Sequence, residues 1–238
     1  MIHDKRLVVV LPAYNAARTL SRTVAAIPPG FADALLLVDD GSHDETVDLA
    51  RSLGLHVLQH PENRGYGANQ KTCYREALRL GAEVVVMLHP DYQYSPRLVP
   101  ALASPVAIGQ YDIMLGSRVL GRGALKGGMP LYKYLSNRAL TLVENLLLDR
   151  KLSEYHTGFR AYSRAALERI PYERFSDDFI FDNQLLVAAV EADLEIGELS
   201  VPASYEADAS SINLSRSIVY GAGVLREALA YRWRRGRG

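Results

Sequence analysis

A chain of 238 residues with 48% hydrophobic and 23% charged side chains can bury a large core, which excludes a disordered or fibrous protein. Lysine plus arginine and aspartate plus glutamate number 27 each, which excludes the global positive charge that draws proteins onto nucleic acid. The single cysteine, Cys73, excludes an internal disulfide and is expected to be a buried thiol.

Neither a leader nor a membrane span is predicted. The apolar run near the start ends at Pro12 and is too short for a secretory signal. The longest apolar stretches, 7–11 and 84–88, fall far below the roughly 18 residues that predict a membrane span. With one cysteine and no export signal, we expect a cytoplasmic location.

Apolar runs alternate with segments of helical periodicity through the first half of the chain. The run 7–11 is continuous and β-branched, as in a strand buried on both faces. Ser42 and Glu45 form a capping-box pattern that predicts the start of a helix ending at Gly54. The predicted elements are a strand at 7–11, a helix at 17–27, a strand at 35–38, a helix at 42–54, a strand at 55–58, a helix at 67–80 and a strand at 84–88.

The second half departs from this alternation. A glycine-rich segment, 121–128, predicts a mobile loop, and a long amphipathic helix follows it. The predicted elements here are a helix at 97–107, a strand at 112–115, a helix at 131–148, a strand at 159–162, a helix at 179–190, a strand at 195–202 and a helix at 215–232.

The repeated strand, turn and helix predict a mostly parallel sheet with helices on both faces. This is a three-layer α/β/α arrangement of the nucleotide-binding type. No repeat, low-complexity segment or linker marks a boundary, so we expect one domain over residues 1–238.

Polar residues follow three predicted strands at the edge where an open parallel sheet binds its ligands. Because the carboxyl ends of parallel strands share one edge, we expect these segments to meet in one cleft. The three segments are Pro12-Ala13-Tyr14-Asn15, Asp39-Asp40-Gly41-Ser42 and His89-Pro90-Asp91-Tyr92-Gln93.

The paired aspartates at the second strand end are candidates for nucleotide recognition. The carboxylate of Asp39 or Asp40 matches the hydrogen-bond donors of a nucleobase or of ribose hydroxyls. The alternative is that one of them caps the helix that follows Ser42.

The third strand end carries candidate metal ligands. His89, Asp91 and Gln93 alternate along the chain, so their side chains lie on one side of it. This set suits a divalent cation that bridges the two phosphates of a nucleotide sugar and neutralises the departing diphosphate. The alternative is a surface turn, which Pro90 and Tyr92 also favour.

Together these segments resemble the family 2 glycosyltransferases of the GT-A fold, especially the branch of dolichol-phosphate mannose synthases and polyprenyl-phosphate glucosyltransferases. The resemblance covers most of the chain, and its five motifs come in the family's order. They are Pro12-Ala13-Tyr14-Asn15, Val38-Asp39-Asp40-Gly41-Ser42, Glu62-Asn63-Arg64-Gly65-Tyr66-Gly67, Gly116-Ser117-Arg118 and His156-Thr157-Gly158-Phe159-Arg160.

The resemblance implies a UDP- or GDP-linked sugar donor and a Mn²⁺ or Mg²⁺ cofactor. It implies that Asp39 contacts the base, that residues 12–15 wrap the nucleotide, and that Asp91 and Gln93 sit at the metal. His89 departs from the family, which usually has an aspartate there; imidazole would favour manganese or bind a phosphate oxygen directly. Further donor contacts are implied for Asp40, Gly67, Pro90 and Arg160.

The resemblance also implies an acceptor site. In members that use lipid phosphates, cationic residues after the Gly-Ser-Arg motif bind the phosphate, for which the arginine fork is well suited. The alternative is a solvated loop with ordinary surface charges. The residues in this stretch are Arg118, Arg122, Lys126 and Lys133.

Two further aspartates are candidate bases. Asp178 and Asp182 lie where related sugar-to-hydroxyl transferases keep a carboxylate base. A phosphate monoester, with a second pKa of about 6, needs no base. With such an acceptor, the two aspartates would instead cap a helix or pair with arginines.

The leading hypothesis is an inverting, metal-dependent glycosyltransferase whose acceptor is a polyprenyl or dolichyl phosphate. Residues 1–116 would bind the nucleotide and residues 117–238 the acceptor. The alternatives are transfer to a saccharide hydroxyl, a sugar-phosphate nucleotidyltransferase and a non-catalytic nucleotide-sugar-binding module. The basic, aromatic segment 231–237 predicts peripheral contact with a membrane or a membrane partner protein, or else a frayed solvated tail.

Overall fold

A computed structural model describes residues 1–121, 123–205 and 214–236, and the side chains of 214–216 lie outside this description. Seven strands form one sheet in the order β3-β2-β1-β4-β6-β5-β7. The strands are β1 (Leu7–Ala13), β2 (Ala34–Asp39), β3 (His56–Gln59), β4 (Val84–Met87), β5 (Ile113–Ser117), β6 (Arg160–Ser163) and β7 (Ile196–Ser200).

The helices flank this sheet on both faces. They are α1 (Ala17–Ala26), α2 (Thr46–Ser52), α3 (Tyr66–Arg79), α4 (Val99–Ala107), α5 (Gly123–Lys126), α6 (Leu131–Leu148), α7 (Arg164–Arg169), α8 (Phe181–Glu191) and α9 (Leu214–Arg235). Among the described residues, no helix is long and apolar enough to cross a bilayer.

The sheet is parallel except at β6. β1 pairs in parallel with β2 and β4, β2 with β3, and β5 with β7, whereas β6 runs antiparallel to both β4 and β5. β1 and β4 are buried along their whole length, as expected for central strands covered on both faces.

Successive residues of β1 enter different cores, one on each face of the sheet. Val8 and Val10 pack on the side of α3 and α8, whereas Leu7, Val9 and Leu11 pack on the side of α1 and α4. The three-layer α/β/α prediction with a mostly parallel sheet is thereby confirmed. Cys73 is buried in the first of these cores, and burial raises the pKa of its thiol.

The glycine-rich segment 121–128, predicted as a mobile loop, contains a short helix, since residues 123–126 form α5. The backbone N–H of Ala124 donates to the Arg118 carbonyl at 3.0 Å, and that of Tyr205 donates to the Gly127 carbonyl at 2.9 Å. A Cβ at position 127 would overlap the carbonyl oxygen of Ala203. Glycine therefore permits close packing here rather than an open loop.

Candidate active site

Hydrogen bonds connect the segments that follow β1 and β2. The N–H of Asn15 donates to Ser42 Oγ at 2.8 Å, and the N–H of His43 donates to Asn15 Oδ1 at 2.9 Å. The N–H of Asp40 donates to the Ala13 carbonyl at 2.8 Å. The segment 12–15 and the aspartate pair therefore form one rigid edge.

Asp39 is buried and held by its own turn. Its Oδ2 accepts from the N–H of Ser42 at 3.0 Å, and its Oδ1 accepts from the Ser42 hydroxyl. The predicted capping box at Ser42 is wrong, because this hydroxyl is engaged with Asp39. Helix α2 begins instead at Thr46, whose N–H donates to Asp44 Oδ1 at 3.1 Å.

Asp40 holds a loop. Its carboxylate accepts from His60 Nδ1 at 2.7 Å and from the N–H groups of Arg64 and Gly65 at 3.0 Å each. The carboxylate of Asp40 therefore shapes residues 60–65 and does not cap α2, whereas the nucleotide contact expected for Asp40 stays a prediction.

Gly67 and Arg160 make contacts within the scaffold, and the donor contacts expected for them stay predictions. The N–H of Gly67 donates to the Asp177 carbonyl at 2.7 Å, and a Cβ there would overlap the Ser176 carbonyl oxygen. Arg160 is fully buried and donates to the carbonyls of Thr157, Asp182 and Tyr155 at 2.6, 2.9 and 3.0 Å.

A cavity of about 790 Å³ begins at the third strand end and extends between α6 and α9. It brings together His89, Asp91, Gln93, Arg118 and Asp182. Because β1 lies between β2 and β4 and all three strands are parallel, Asp39 and Asp91 both follow strands that end at the same edge of the sheet.

Asp178 lies outside the cavity lining, in contrast to Asp182. Its side chain is exposed, and Oδ1 accepts from the N–H of Phe179 at 2.7 Å. This matches the helix-terminus alternative better than the role of a base. Pro90 is buried, and its carbonyl accepts from Thr23 Oγ1 at 3.2 Å.

A chain of hydrogen bonds links His89 to Asp182 through Tyr66. The Tyr66 hydroxyl donates to Asp182 Oδ2 at 2.6 Å, and His89 Nε2 lies 3.2 Å from the same hydroxyl. Burial, followed by the charge of Asp182, raises the pKa of Tyr66 well above its usual value, so the phenol keeps its proton. With that proton directed to Asp182, the oxygen accepts from His89 Nε2–H, which leaves the imidazole lone pair on Nδ1.

Arg118 faces the cavity from a buried ion pair with Glu154, a residue the sequence analysis did not single out. Glu154 accepts from the backbone N–H of Arg118 at 2.7 Å and from its Nε at 2.9 Å, and also contacts Nη2. Nη2 donates to the His156 carbonyl at 2.5 Å and Nη1 to the Tyr205 hydroxyl at 3.0 Å. Of the five guanidinium N–H groups, one on Nη1 therefore has no acceptor among the described residues and can donate to a ligand.

Arg118 determines the protonation state of Glu154. Burial alone would raise the pKa of Glu154, but the adjacent Arg118 guanidinium outweighs it and lowers the pKa below its usual range. The pair therefore stays ionised at neutral pH.

A second buried polar cluster lies on the cavity wall formed by α6, α8 and α9. Glu144 is fully buried and accepts from Asn183 Nδ2 at 2.5 Å, and its Oε2 lies 3.1 Å from His156 Nε2. His156 Nδ1 lies 2.9 Å from the Tyr220 hydroxyl. The cavity lining thus includes an imidazole and a phenol that sequence reasoning did not assign to any role, because their partners are distant in the chain.

Residues 8–171 match the family model described as glycosyl transferase family 2. The chain belongs to this family. The match confirms the resemblance found in the motifs, and it makes the protein a glycosyltransferase rather than a nucleotidyltransferase or a non-catalytic module.

Among the relatives of this family 2 glycosyltransferase are two whose names refer to a polyprenol or a dolichyl phosphate. It is 25% identical over 219 residues to UDP-N-acetylglucosamine–dolichyl-phosphate N-acetylglucosaminyltransferase of Methanococcus voltae, covering 85% of this chain and 87% of the relative. It is 27% identical over 205 residues to polyprenol monophosphomannose synthase of Mycolicibacterium smegmatis, covering 83% of this chain and 77% of the relative.

Solved structures share the fold. Glucosyl-3-phosphoglycerate synthase of Mycobacterium tuberculosis, in complex with Mn²⁺ and UDP-glucose, superposes with a TM-score of 0.74 at 21% identity, covering 96% of this chain and 79% of that chain. Its complex with UDP gives a TM-score of 0.73 at 20% identity, covering 96% and 80%. These similarities confirm the GT-A fold of this glycosyltransferase.

The donor atoms at the third strand end fit a cation that is shared with a ligand. Among the described residues, no group of three or more histidine, cysteine, aspartate or glutamate side chains could hold a metal ion. Asp91, Gln93 and the Nδ1 atom of His89 offer an incomplete set at one end of the cavity. Diphosphate oxygens would complete the coordination of Mn²⁺ or Mg²⁺ there.

Of the cationic residues predicted to bind the acceptor phosphate after Arg118, the structure places one in the cavity wall and one outside it. Lys133 lines the cavity, whereas Lys126 is exposed on α5 outside the cavity lining. Arg122 lies outside the described residues.

We expect His89 to carry its neutral-state proton on Nε2, as ¹⁵N NMR of the imidazole nitrogens would show. In Tyr66→Phe the acceptor is lost; since a hydrogen bond contributes about 1 kcal/mol, the Nδ1-protonated form should gain roughly fivefold over the Nε2-protonated one. His60 is the internal control, since its Nδ1 faces the Asp40 carboxylate at 2.7 Å and must be protonated in both proteins. Protonation of His89 on Nδ1 in the unsubstituted protein would contradict the hydrogen-bond chain.

Proposed function

We propose that this protein is an inverting glycosyltransferase that moves a sugar from a UDP- or GDP-linked donor to a polyprenyl or dolichyl phosphate, with a divalent cation. One observation carries the proposal: the same cavity is lined by the candidate cation ligands, by the Arg118 guanidinium and by apolar residues of α6 and α9. The names of two relatives, which refer to dolichyl phosphate and to polyprenol, support the acceptor class.

In this proposal, residues 1–116 bind the donor. The carboxylate of Asp39, fixed by Ser42, would accept a hydrogen bond from the base or ribose. Tyr14 is half exposed beside it and would cover the nucleotide, together with the rest of segment 12–15. Asp91 and Gln93, with His89 through Nδ1, would hold the cation, which would supply positive charge to the leaving diphosphate.

The acceptor phosphate would bind in the half formed by residues 117–238. The free N–H of Arg118 and the ammonium group of Lys133 would fix it in line with the anomeric carbon. A phosphate oxygen forms the new bond to that carbon as the bond to the diphosphate breaks, which inverts the configuration. The acceptor oxygen is already ionised near neutral pH, so no base is needed.

Asp182 favours a phosphate over a hydroxyl acceptor. Its carboxylate accepts from the Tyr66 hydroxyl and from Gln70 Nε2 at 3.1 Å, and Arg160 Nη1 lies 3.7 Å from Oδ1. Because each oxygen of this carboxylate already accepts one hydrogen bond, the carboxylate is less well placed to take a proton from a sugar.

Asp182→Asn is therefore expected to retain at least about a tenth of the transfer rate to polyprenyl phosphate, because Oδ1 of asparagine can still accept from Tyr66. The measurement is release of nucleoside diphosphate, with a melting curve to verify folding. A hundredfold or larger loss in a folded variant, together with transfer to saccharides by the parent enzyme, would instead establish the hydroxyl-acceptor alternative.

The donor can be named by ligand-dependent stability. A ligand at a hundred times its Kd stabilises the folded state by about 2.7 kcal/mol, so one nucleoside diphosphate should raise the melting temperature more with Mn²⁺ than without it. NMR of the product should show the anomeric configuration opposite to that of the donor. A retained configuration would refute inversion.

The lipid-linked acceptor implies a cytoplasmic protein in peripheral contact with a membrane or with a membrane partner protein. The predicted tail is described only to residue 236, and within it Trp233, Arg232 and Arg234 are exposed.

A further inference from the structure

Helix α6 buries polar side chains and exposes large apolar ones, the reverse of the usual surface helix. Its buried residues include the polar Asn137, Thr141 and Glu144, the last fully buried. Surface helices of soluble proteins place their apolar stripe inward and their polar face outward. The exposed large apolar residues of α6 are Leu131, Tyr132, Leu135, Leu142, Val143 and Leu146.

Helix α9 packs beside α6 and extends this apolar surface. Ile218, Leu225, Leu229 and Trp233 follow one another at intervals of seven, four and four residues, which places them on one helical stripe. Their exposed fractions are 67%, 36%, 57% and 60%. We call the exposed apolar residues of both helices, together with Val219, the α6–α9 face.

The charges that the two helices themselves carry are segregated, although Arg234 and Arg235 pair with Glu191 and Asp149 of neighbouring segments. Among the described side chains of the two helices, the acidic ones turn inward: Glu144 is buried, and Glu227 accepts a hydrogen bond from Gln184 Nε2 at 3.1 Å. The charged residues that remain exposed are all basic, although acidic and basic residues balance over the whole chain. These basic residues are Arg138, Arg226, Arg232, Arg234 and Arg235.

The same two helices line the cavity. Leu140 of α6 and Ile218 and Leu225 of α9 belong to its wall, so the apolar part of the cavity is continuous with the α6–α9 face. We propose that the α6–α9 face docks on an anionic lipid bilayer and presents the cavity to a lipid-linked acceptor within it. This inference rests on the proposed function for the acceptor, and the face itself is argued from exposure and charge.

A bilayer fits the face better than a second copy of the chain. Two copies joined face to face would bring their arginines together at the rim, which opposes association. An anionic lipid surface attracts the same arginines at about 1 kcal/mol each, and it accepts the leucines and Trp233 at the interface.

The test is co-sedimentation of the full chain with vesicles of phosphatidylcholine alone or mixed with phosphatidylglycerol, all without acceptor. We expect binding to the anionic vesicles that weakens with added salt. Leu142→Asp/Leu146→Asp should weaken it at least tenfold, since both leucines are exposed and lie outside the cavity lining. Ile108→Asp is the matched control, because Ile108 is 62% exposed on another element and should leave binding unchanged.

A second set of variants, at arginines, measures the electrostatic contribution to binding separately from the apolar one. Arg226→Ala/Arg232→Ala should weaken binding to anionic vesicles roughly 25-fold, fivefold for each charge. Arg51→Ala/Arg79→Ala, which removes two exposed arginines elsewhere, should leave it unchanged. Equal loss of vesicle binding in the two double variants would overturn the assignment to this face.

Two further outcomes would overturn the proposal. One is absence of vesicle binding by the unsubstituted chain. The other is a dimer in light scattering that dissociates in Leu142→Asp/Leu146→Asp, which would assign the face to a second copy. Because the vesicles contain no acceptor, failure to transfer sugar to a polyprenyl phosphate leaves this result intact, and the two proposals fail separately.

Discussion

Replacing Asp91 with alanine is expected to lower turnover of the nucleotide sugar by roughly a thousandfold or more. Asp91 is the one carboxylate in the candidate cation set, and metal stabilisation of a leaving group contributes several kcal/mol to the transition state. The stabilisation of the protein by nucleoside diphosphate plus Mn²⁺ should disappear with it, which calorimetry or a melting curve would measure.

Asparagine at the same position separates two roles of this side chain. Asp91 Oδ1 also accepts from the N–H of Gln93 at 3.0 Å and so shapes the turn. Asp91→Asn keeps that acceptor but removes the charge, so turnover should fall nearly as far as in the alanine variant. Retained turnover would assign Asp91 to the turn alone. Asp48→Ala, at an exposed aspartate on α2, is the control and should leave turnover unchanged.

The central strands and their ligand edge could be predicted from the sequence because the signal is local. β1, β2 and β4 are continuous apolar runs, and each ends in polar residues, so the composition of a few neighbours identifies both the strand and its end. The reversed direction of β6 could not be predicted, because a strand has the same side-chain period whichever way it runs.

Long-range polar pairs account for most of what sequence reasoning missed at the site. Tyr66 and Asp182 are 116 positions apart, and Arg118 and Glu154 are 36 apart, so no spacing rule relates them. Only the folded chain shows that Glu154, His156 and Tyr205 together accept from most of the Arg118 guanidinium donors, or that Asp40 and Arg160 are engaged with the scaffold.

The sequence also could not predict which face of α6 is buried. Periodicity identifies residues 131–148 as an amphipathic helix, yet the same pattern results whether the apolar or the polar stripe faces the core. Here Glu144 and Asn137 find partners inside, through Asn183 and Glu154 respectively. Those partners come from distant segments, so the buried side of the helix is a property of the tertiary structure.

Replacing Glu154 with leucine is expected to destabilise the protein by about 3–5 kcal/mol, because it leaves the Arg118 guanidinium buried without its counter-charge. Chemical denaturation would measure the loss. Arg118→Met/Glu154→Leu should recover much of it, since an apolar pair of similar volume avoids the buried charge. The double variant should nevertheless fail to transfer sugar to polyprenyl phosphate, because the cavity has lost its guanidinium.

The same pair should make stability depend on acidity. The folded-state pKa of Glu154 lies below its ordinary value of 4.5, so the pair stabilises the protein above that value and this contribution is lost as the pH falls through the folded-state pKa. The double variant lacks this contribution, so its unfolding free energy should decline less on acidification below about pH 4.5 than that of the parent. Equal slopes for the two proteins would show that the ion pair does not stabilise the fold, and that Arg118 is held in the cavity wall by its bonds to Tyr205 and His156 instead.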